Sequence, residues 1–146
     1  MSTPATTPSI AKPGFVSTRL TTPYWRAAET GKLLLQECLE CGHLQHYPRN
    51  LCTNCWSQDL HWKEAAGDAS IWTFTVVGIP GHPAWGDEAP YVLALVELAE
   101  GPRLMTNIVG CAPESVHCGQ RVQLRPHRGA SDNQTLLQFT PFTRDN

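Results

Sequence analysis

Two CxxC pairs stand in the stretch "CLECGHLQHYPRNLCTNCW", Cys38 with Cys41 and Cys52 with Cys55, ten residues apart. They take four of the chain's six cysteines. A CxxC turn aims two thiolates at one point, and a tetrahedral structural zinc needs four ligands of this kind. The segment between the pairs is long enough to return as a hairpin, with Pro48 shaping the return. Gly42, directly after Cys41, permits the left-handed backbone such a knuckle needs. The second knuckle lacks that glycine, and Asn54 is expected to take the left-handed position, which Asn tolerates. A redox CxxC would need one pair at a helix start in a βαβ setting, and no such setting is present. The expected metal ligands are therefore Cys38, Cys41, Cys52 and Cys55. Four thiolates leave no open coordination position, so the zinc is expected to be structural, one per chain. Iron also suits four thiolates. His43 and His46, in the hairpin, are read as surface groups.

A chain of 146 residues that is 41% hydrophobic can build a real core. No apolar run approaches the length of a membrane span. The opening "MSTPATTPSIAKPGF" lacks a basic-then-apolar leader pattern, and a cytoplasmic protein is expected. The net charge of −2 disfavours a partner made of phosphate backbone.

Residues 1–19 read as a flexible or partner-ordered tail, the first 14 being rich in Thr, Pro and Ser. Residues 20–64 read as an N-terminal helix and a zinc ribbon. Thr22 caps the helix, Pro23 occupies its first turn and Gly31 stops it. Tyr24 and Trp25 give it an aromatic edge, expected to pack on the next module. "KLLLQEC" reads as a strand entering the first cysteine pair. Residues 65–146 change character. "ASIWTFTVVGI", "YVLALVELAE", "GPRLMTNIVG", "QRVQLRP" and "TLLQFTPF" are five short strands bounded by Gly, Pro, Asp or Asn. A mainly β fold follows, with a five-stranded OB-fold barrel after the ribbon.

Other candidate groups are weaker. Cys111 and Cys118 flank a loop in which His117 adjoins Cys118, a conceivable nucleophile and base without a third orienting group. His82, Trp85, Asp87 and Glu88 occupy a Pro/Gly-dense loop of the kind that lines binding sites. Arg121, Arg125 and Arg128, with His127, form a cationic run. Strand alternation puts Arg121 and Arg125 on one face, where they would meet a phosphate or simply face solvent. None of these forms a catalytic set, and the residues point to a protein that binds or positions something.

In order along the chain come "PYWRA", "GKLLLQECLECGHLQHYPRNLCTNC", "GDASIWTFTVV", "APYVLALVELAEGPRLMTNIVG", "CGQRVQLR" and "FTPF". This arrangement, over roughly residues 20–142, resembles the acyl-CoA-associated family that joins a rubredoxin-like zinc ribbon to an OB-fold. The resemblance implies a small partner of thiolase-like enzymes. In such assemblies the large thiolase-fold subunit carries the catalytic Cys and His, and the small one docks and helps hold CoA. The settings implied are β-ketoacyl-CoA thiolases, a thiolase–HMG-CoA synthase assembly, polyketide-type acyltransferases and steroid side-chain aldolases. A thiolase or acyltransferase is the first expectation, because the hydratase-like module often fused in the aldolases is not in this sequence. By residue type, Tyr24 and Trp85 suit the apolar parts of CoA, and Arg49, Arg121 and Arg125 its phosphates. The competing expectations are a single-stranded nucleic-acid module, since ribbons and OB barrels serve that purpose, and a lone enzyme using Cys111 or Cys118.

Overall fold

The computed structural model describes residues 10–129 and 134–143. Residues 1–9 of the expected tail lie outside the described residues. From Lys12 onward the tail meets the rest of the chain. Lys12 pairs with Glu88, Phe15 stacks on Trp25, and the Gln134 side chain bonds both the N–H and the C=O of Phe15.

Helix α1 covers Thr22–Glu29. Thr22 is its first helical residue and not its cap. Thr21 precedes the helix, and the Thr22 hydroxyl donates to Thr18 O at 2.7 Å. The helix ends where Gly31 turns to φ +80°, with Gly31 N–H donating to Ala28 O and Lys32 N–H to Ala27 O. These two bonds satisfy the last carbonyls in a Schellman arrangement, which needs a residue tolerant of positive φ. The buried side of α1 is Tyr24 and Ala28.

Strand β1 (Leu34–Cys38) lies between β2 (Leu44–Gln45) and β3 (Leu60–Glu64), antiparallel to both. The five strands that follow are β4 (Asp68–Val77), β5 (Tyr91–Leu98), β6 (Arg103–Ile108), β7 (Arg121–Arg128) and β8 (Thr135–Pro141). They close a barrel in the order β4-β5-β6-β8-β7, with β7 returning to β4. This is the OB-fold order, and it matches the five strands expected from the sequence.

Alternation fills the barrel. Val92, Ala94, Val96 and Leu98 of β5 are buried, as are Leu104, Thr106 and Ile108 of β6. Phe139 of β8 is fully buried among them. Leu33 and Leu35 of the ribbon belong to the same continuous cluster as the barrel interior, together with Tyr24, Ala28 and Ala65. The ribbon therefore shares its apolar burial with the barrel. A register shift between Ile71 and Thr73 inserts Trp72 as a bulge, which turns the ring outward under the Arg103 guanidinium, 3.6 Å from the ring centroid.

One seam of the barrel is thin. β6 and β8 are parallel and share a single register pair, Ile108 with Phe139. Side chains replace the missing ladder bonds. The Thr106 hydroxyl donates to Leu137 O at 2.9 Å, and Met105 N–H donates to the Tyr47 hydroxyl at 3.2 Å.

Truncating Phe139 removes the largest fully buried ring. Phe139→Ala is expected to lower the unfolding free energy by about 3–5 kcal/mol, read as a shift in urea midpoint without a change in slope.

Candidate metal centre and adjoining groove

The two knuckles repeat one backbone pattern. Gly42 N–H donates to Cys38 O and Trp56 N–H to Cys52 O; Cys38 N–H donates to His43 O and Cys52 N–H to Ser57 O. Each first cysteine is buried and each second one exposed. The pseudo-symmetry converges the four sulfurs, all within 4.8 Å of one another, with Cys38 to Cys55 and Cys41 to Cys52 each 3.6 Å apart. A zinc–sulfur bond of about 2.3 Å requires sulfurs about 3.8 Å apart on a tetrahedron, so the four residues fit a tetrahedral metal. Donors also point at the sulfurs: Asn54 N–H reaches Cys52 Sγ at 3.4 Å and Asn54 Nδ2 reaches Cys41 Sγ at 3.6 Å. The Asn54 amide leads the groups that draw the Cys41 thiol down to about 6, whereas Cys55, despite a backbone hydrogen bond from Ser57, is pushed up to about 12 by burial and the three neighbouring thiols.

The left-handed residue of the second knuckle is Trp56, at φ +67°, and not Asn54. The reason is the pseudo-symmetry. The strained position directly follows the second cysteine, where the first knuckle has Gly42 at φ +74°. A side chain with a Cβ is disfavoured there by about 1–2 kcal/mol.

Two buried amides hold the hairpin loop. Gln36 donates to Arg49 O at 3.0 Å and accepts from Arg49 N–H at 2.8 Å. Gln45 donates to Gln36 Oε1 and to Leu51 O, and its own oxygen accepts from Thr53 N–H. Both side chains are nearly inaccessible, and apart from the bond between them these bonds run from β1–β2 to residues 49–53. Nothing in the sequence distinguishes these glutamines from exposed ones.

The loop so held walls a groove of about 350 Å³ over the thin barrel seam. Tyr24, His46, Tyr47 and Arg49 line one side, Met105 and Leu136 the other. The Arg49 guanidinium has no ion-pair partner among the described residues. His43 is exposed, as expected, with Nε2 3.1 Å from the Thr53 hydroxyl. His46 departs from the surface expectation. Its ring lies between Tyr24 and Tyr47, Nδ1 is buried without a partner, and burial pushes the imidazole down to about 4. Burial, aided by Tyr47, pushes the Tyr24 phenol up to about 12. Both rings are therefore neutral at neutral pH.

Of the residues expected to contact CoA, Tyr24 and Arg49 meet in this groove. Arg125 is one strand away, opposite the groove residue Gln138, with its guanidinium beside Gly110 and Thr140. Arg121 stands instead over the Phe142 ring, 5.1 Å from its centroid. Trp85 packs edge-on against His82 in the 3₁₀ turn Pro83–Glu88, and neither lines the groove. Cys111 packs against the barrel core, Cys118 is exposed, and His117 Nδ1 turns back to Ser115 O at 3.4 Å. Among the described residues no helix is long and apolar enough to cross a membrane.

Four converging thiols on paired knuckles, joined to a five-stranded closed barrel, define a zinc-ribbon/OB-fold protein. The family described as "ChsH2, rubredoxin-like zinc ribbon domain" matches residues 25–61, and "ChsH2, C-terminal OB-fold domain" matches residues 62–127. The chain belongs to this ChsH2-type family. It is 42% identical over 118 residues to a "Probable enoyl-CoA hydratase alpha subunit" of Thermomonospora curvata, covering 81% of this chain and 36% of that protein. It thus spans about a third of that relative's length. It is 27% identical over 104 residues to "Benzoylsuccinyl-CoA thiolase subunit BbsA" of Geobacter metallireducens, covering 70% and 68% of the two chains. Among solved structures, a chain of "Ltp2-ChsH2(DUF35) aldolase" aligns at TM-score 0.77 and 39% identity, covering 89% of this chain and 98% of that one.

Two outcomes follow for the loop. Gln36→Ala leaves the Arg49 backbone unpaired and is expected to cost about 1–3 kcal/mol in chemical denaturation. His46 is neutral when folded and titrates normally when unfolded, so the unfolded chain binds more protons between about 6.5 and about 4. Stability is therefore expected to fall as pH drops through that window. His46→Phe, which removes the buried nitrogen, should flatten this part of the denaturation profile and cost nothing at pH 7.

Proposed function

We propose that this chain is the non-catalytic small subunit of a thiolase-like enzyme acting on an acyl-CoA. It docks on a thiolase-fold catalytic subunit and contributes part of the CoA site. The likeness over ribbon and barrel together to a chain of the Ltp2-ChsH2(DUF35) aldolase carries the reading, and the likeness to a thiolase subunit supports it. Between the two partner types, the 39% identity to the aldolase chain against 27% to the thiolase subunit favours an aldolase.

Zinc would be held by Cys38, Cys41, Cys52 and Cys55, and would supply the bonds that hold the two knuckles together. The chain's other residues bind and position. Tyr24, Tyr47, Met105 and Leu136 offer apolar walls to a pantetheine arm. Arg49, free of carboxylates, is placed for a phosphate, with Arg125 as a second cation one strand beyond. Trp85 and Arg121, outside the groove, would contribute only where the catalytic subunit extends the site to them.

The first experiment is native purification of the tagged chain from its own host, with mass identification and metal analysis. A co-purifying thiolase-fold protein with about one zinc per chain is expected. A chain that emerges alone, or with nucleic acid, overturns the reading. Cys52→Ser is expected to lose the metal. In the assembled enzyme, Arg49→Ala should raise KM for acyl-CoA about tenfold with kcat held; an unchanged KM removes the groove from the CoA site.

A further inference from the structure

The two knuckles place different residues at one equivalent position. Gly42 and Trp56 each follow the second cysteine, each has positive φ, and each donates its N–H to the carbonyl of the first cysteine. Glycine meets that backbone demand without strain, and the first knuckle uses it. The second uses the largest side chain available. Nothing among the described residues repays it. Trp56 is 78% exposed, and among the described residues no ring or cation stacks on it. A strained backbone and an exposed indole are both unfavourable in the isolated chain, and strain of this kind points to a role outside the fold.

The surroundings make a surface of it. Leu39, at the tip of the first knuckle, is 66% exposed, and its N–H donates to Asp59 O, which brings that tip beside the strand leading out of the second knuckle. Glu40 and Asp59 are exposed at the same end, and neither has an ion-pair partner among the described residues. Four thiolates around a divalent cation would leave the centre itself net negative. An exposed tryptophan and leucine on paired knuckles that also carry unpaired carboxylates have the make-up of an interface hot spot, an aromatic anchor with a polar rim.

We propose that Trp56 is the anchor by which the knuckle end of this chain docks on its catalytic subunit, entering an apolar pocket rimmed by Lys or Arg. The inference rests on the small-subunit reading above and names the surface that reading leaves open. Acidic complementarity steers the approach, and the indole supplies the buried contact.

The test is the dissociation constant between the full-length, metal-loaded chain and the thiolase-fold subunit that co-purifies with it. Trp56→Gly and Trp56→Asn both relieve the backbone strain. Each is expected to retain its metal and melt at or above the wild-type temperature, yet to bind the catalytic subunit at least tenfold more weakly. The pair Glu40→Lys and Asp59→Lys should slow association and flatten its salt dependence. Trp72→Ala, exposed on the barrel, is the control and should bind as wild type. Wild-type affinity in a metal-loaded Trp56→Gly or Trp56→Asn overturns the proposal and leaves the small-subunit reading standing. Failure of the wild type to bind any thiolase-fold subunit overturns that reading, and this proposal with it.

Discussion

Four sulfur atoms within 4.8 Å of one another set the geometry of the N-terminal half. Two come from the end of β1 and the turn after it, and two from the loop that follows β2. Their convergence fixes where the hairpin turns and where its chain leaves toward β3. The module has little apolar matter of its own, and its buried leucines, Leu33 and Leu35, face the helix and barrel. Metal–thiolate bonding and burial against the barrel therefore do different jobs. The first shapes the knuckles, and the second seats the ribbon on the rest of the chain. A ribbon this small would not supply enough core to hold itself.

The buried amides of Gln36 and Gln45 connect that geometry to the groove. Apart from the bond they share, their bonds terminate on residues 49–53, which begin with the groove arginine and run through the first cysteine of the second knuckle. Amides suit this task because each offers both donor and acceptor, so one side chain bonds a backbone N–H and a C=O together. The arrangement is costly to break, since a lost amide leaves buried backbone groups without water or partner.

Much of the fold was legible in the sequence, and for identifiable reasons. CxxC spacing is a geometric statement, so the ligand set could be read from numbering alone. The barrel strands were bounded by Gly, Pro, Asp and Asn, whose effects on the backbone are local. The helix stop at Gly31 was equally local. What escaped was what two distant segments make together. Tyr47 reads as one more aromatic in a loop until β6 is seen to leave Met105 N–H without a ladder partner. His46 reads as a surface group until Tyr24 arrives from the helix to bury it. The left-handed position is an instructive case. Asn54 was expected from residue preference, whereas the rule that decides is position within the knuckle. Counting four residues from Cys38 reaches Gly42, and counting four from Cys52 reaches Trp56. Register outranked propensity.

A coordination centre closed to further ligands can still govern the shape of a neighbouring groove. The loop between β2 and the second knuckle carries His46, Tyr47 and Arg49 along the groove and ends in Cys52. Its two ends are pinned, one by β-pairing and the other by the sulfur cluster, and its middle is pinned by Gln36. Tyr47 then closes the barrel seam through its hydroxyl. Release of the cluster frees one end, and the loop gains conformational entropy that the glutamine bonds and the Tyr47 bond must oppose. The groove wall would loosen before the barrel core felt any change, because Val96, Phe139 and their neighbours draw nothing from the knuckles. A four-thiolate centre closed to further ligands is thus placed to decide the shape of the groove beside it.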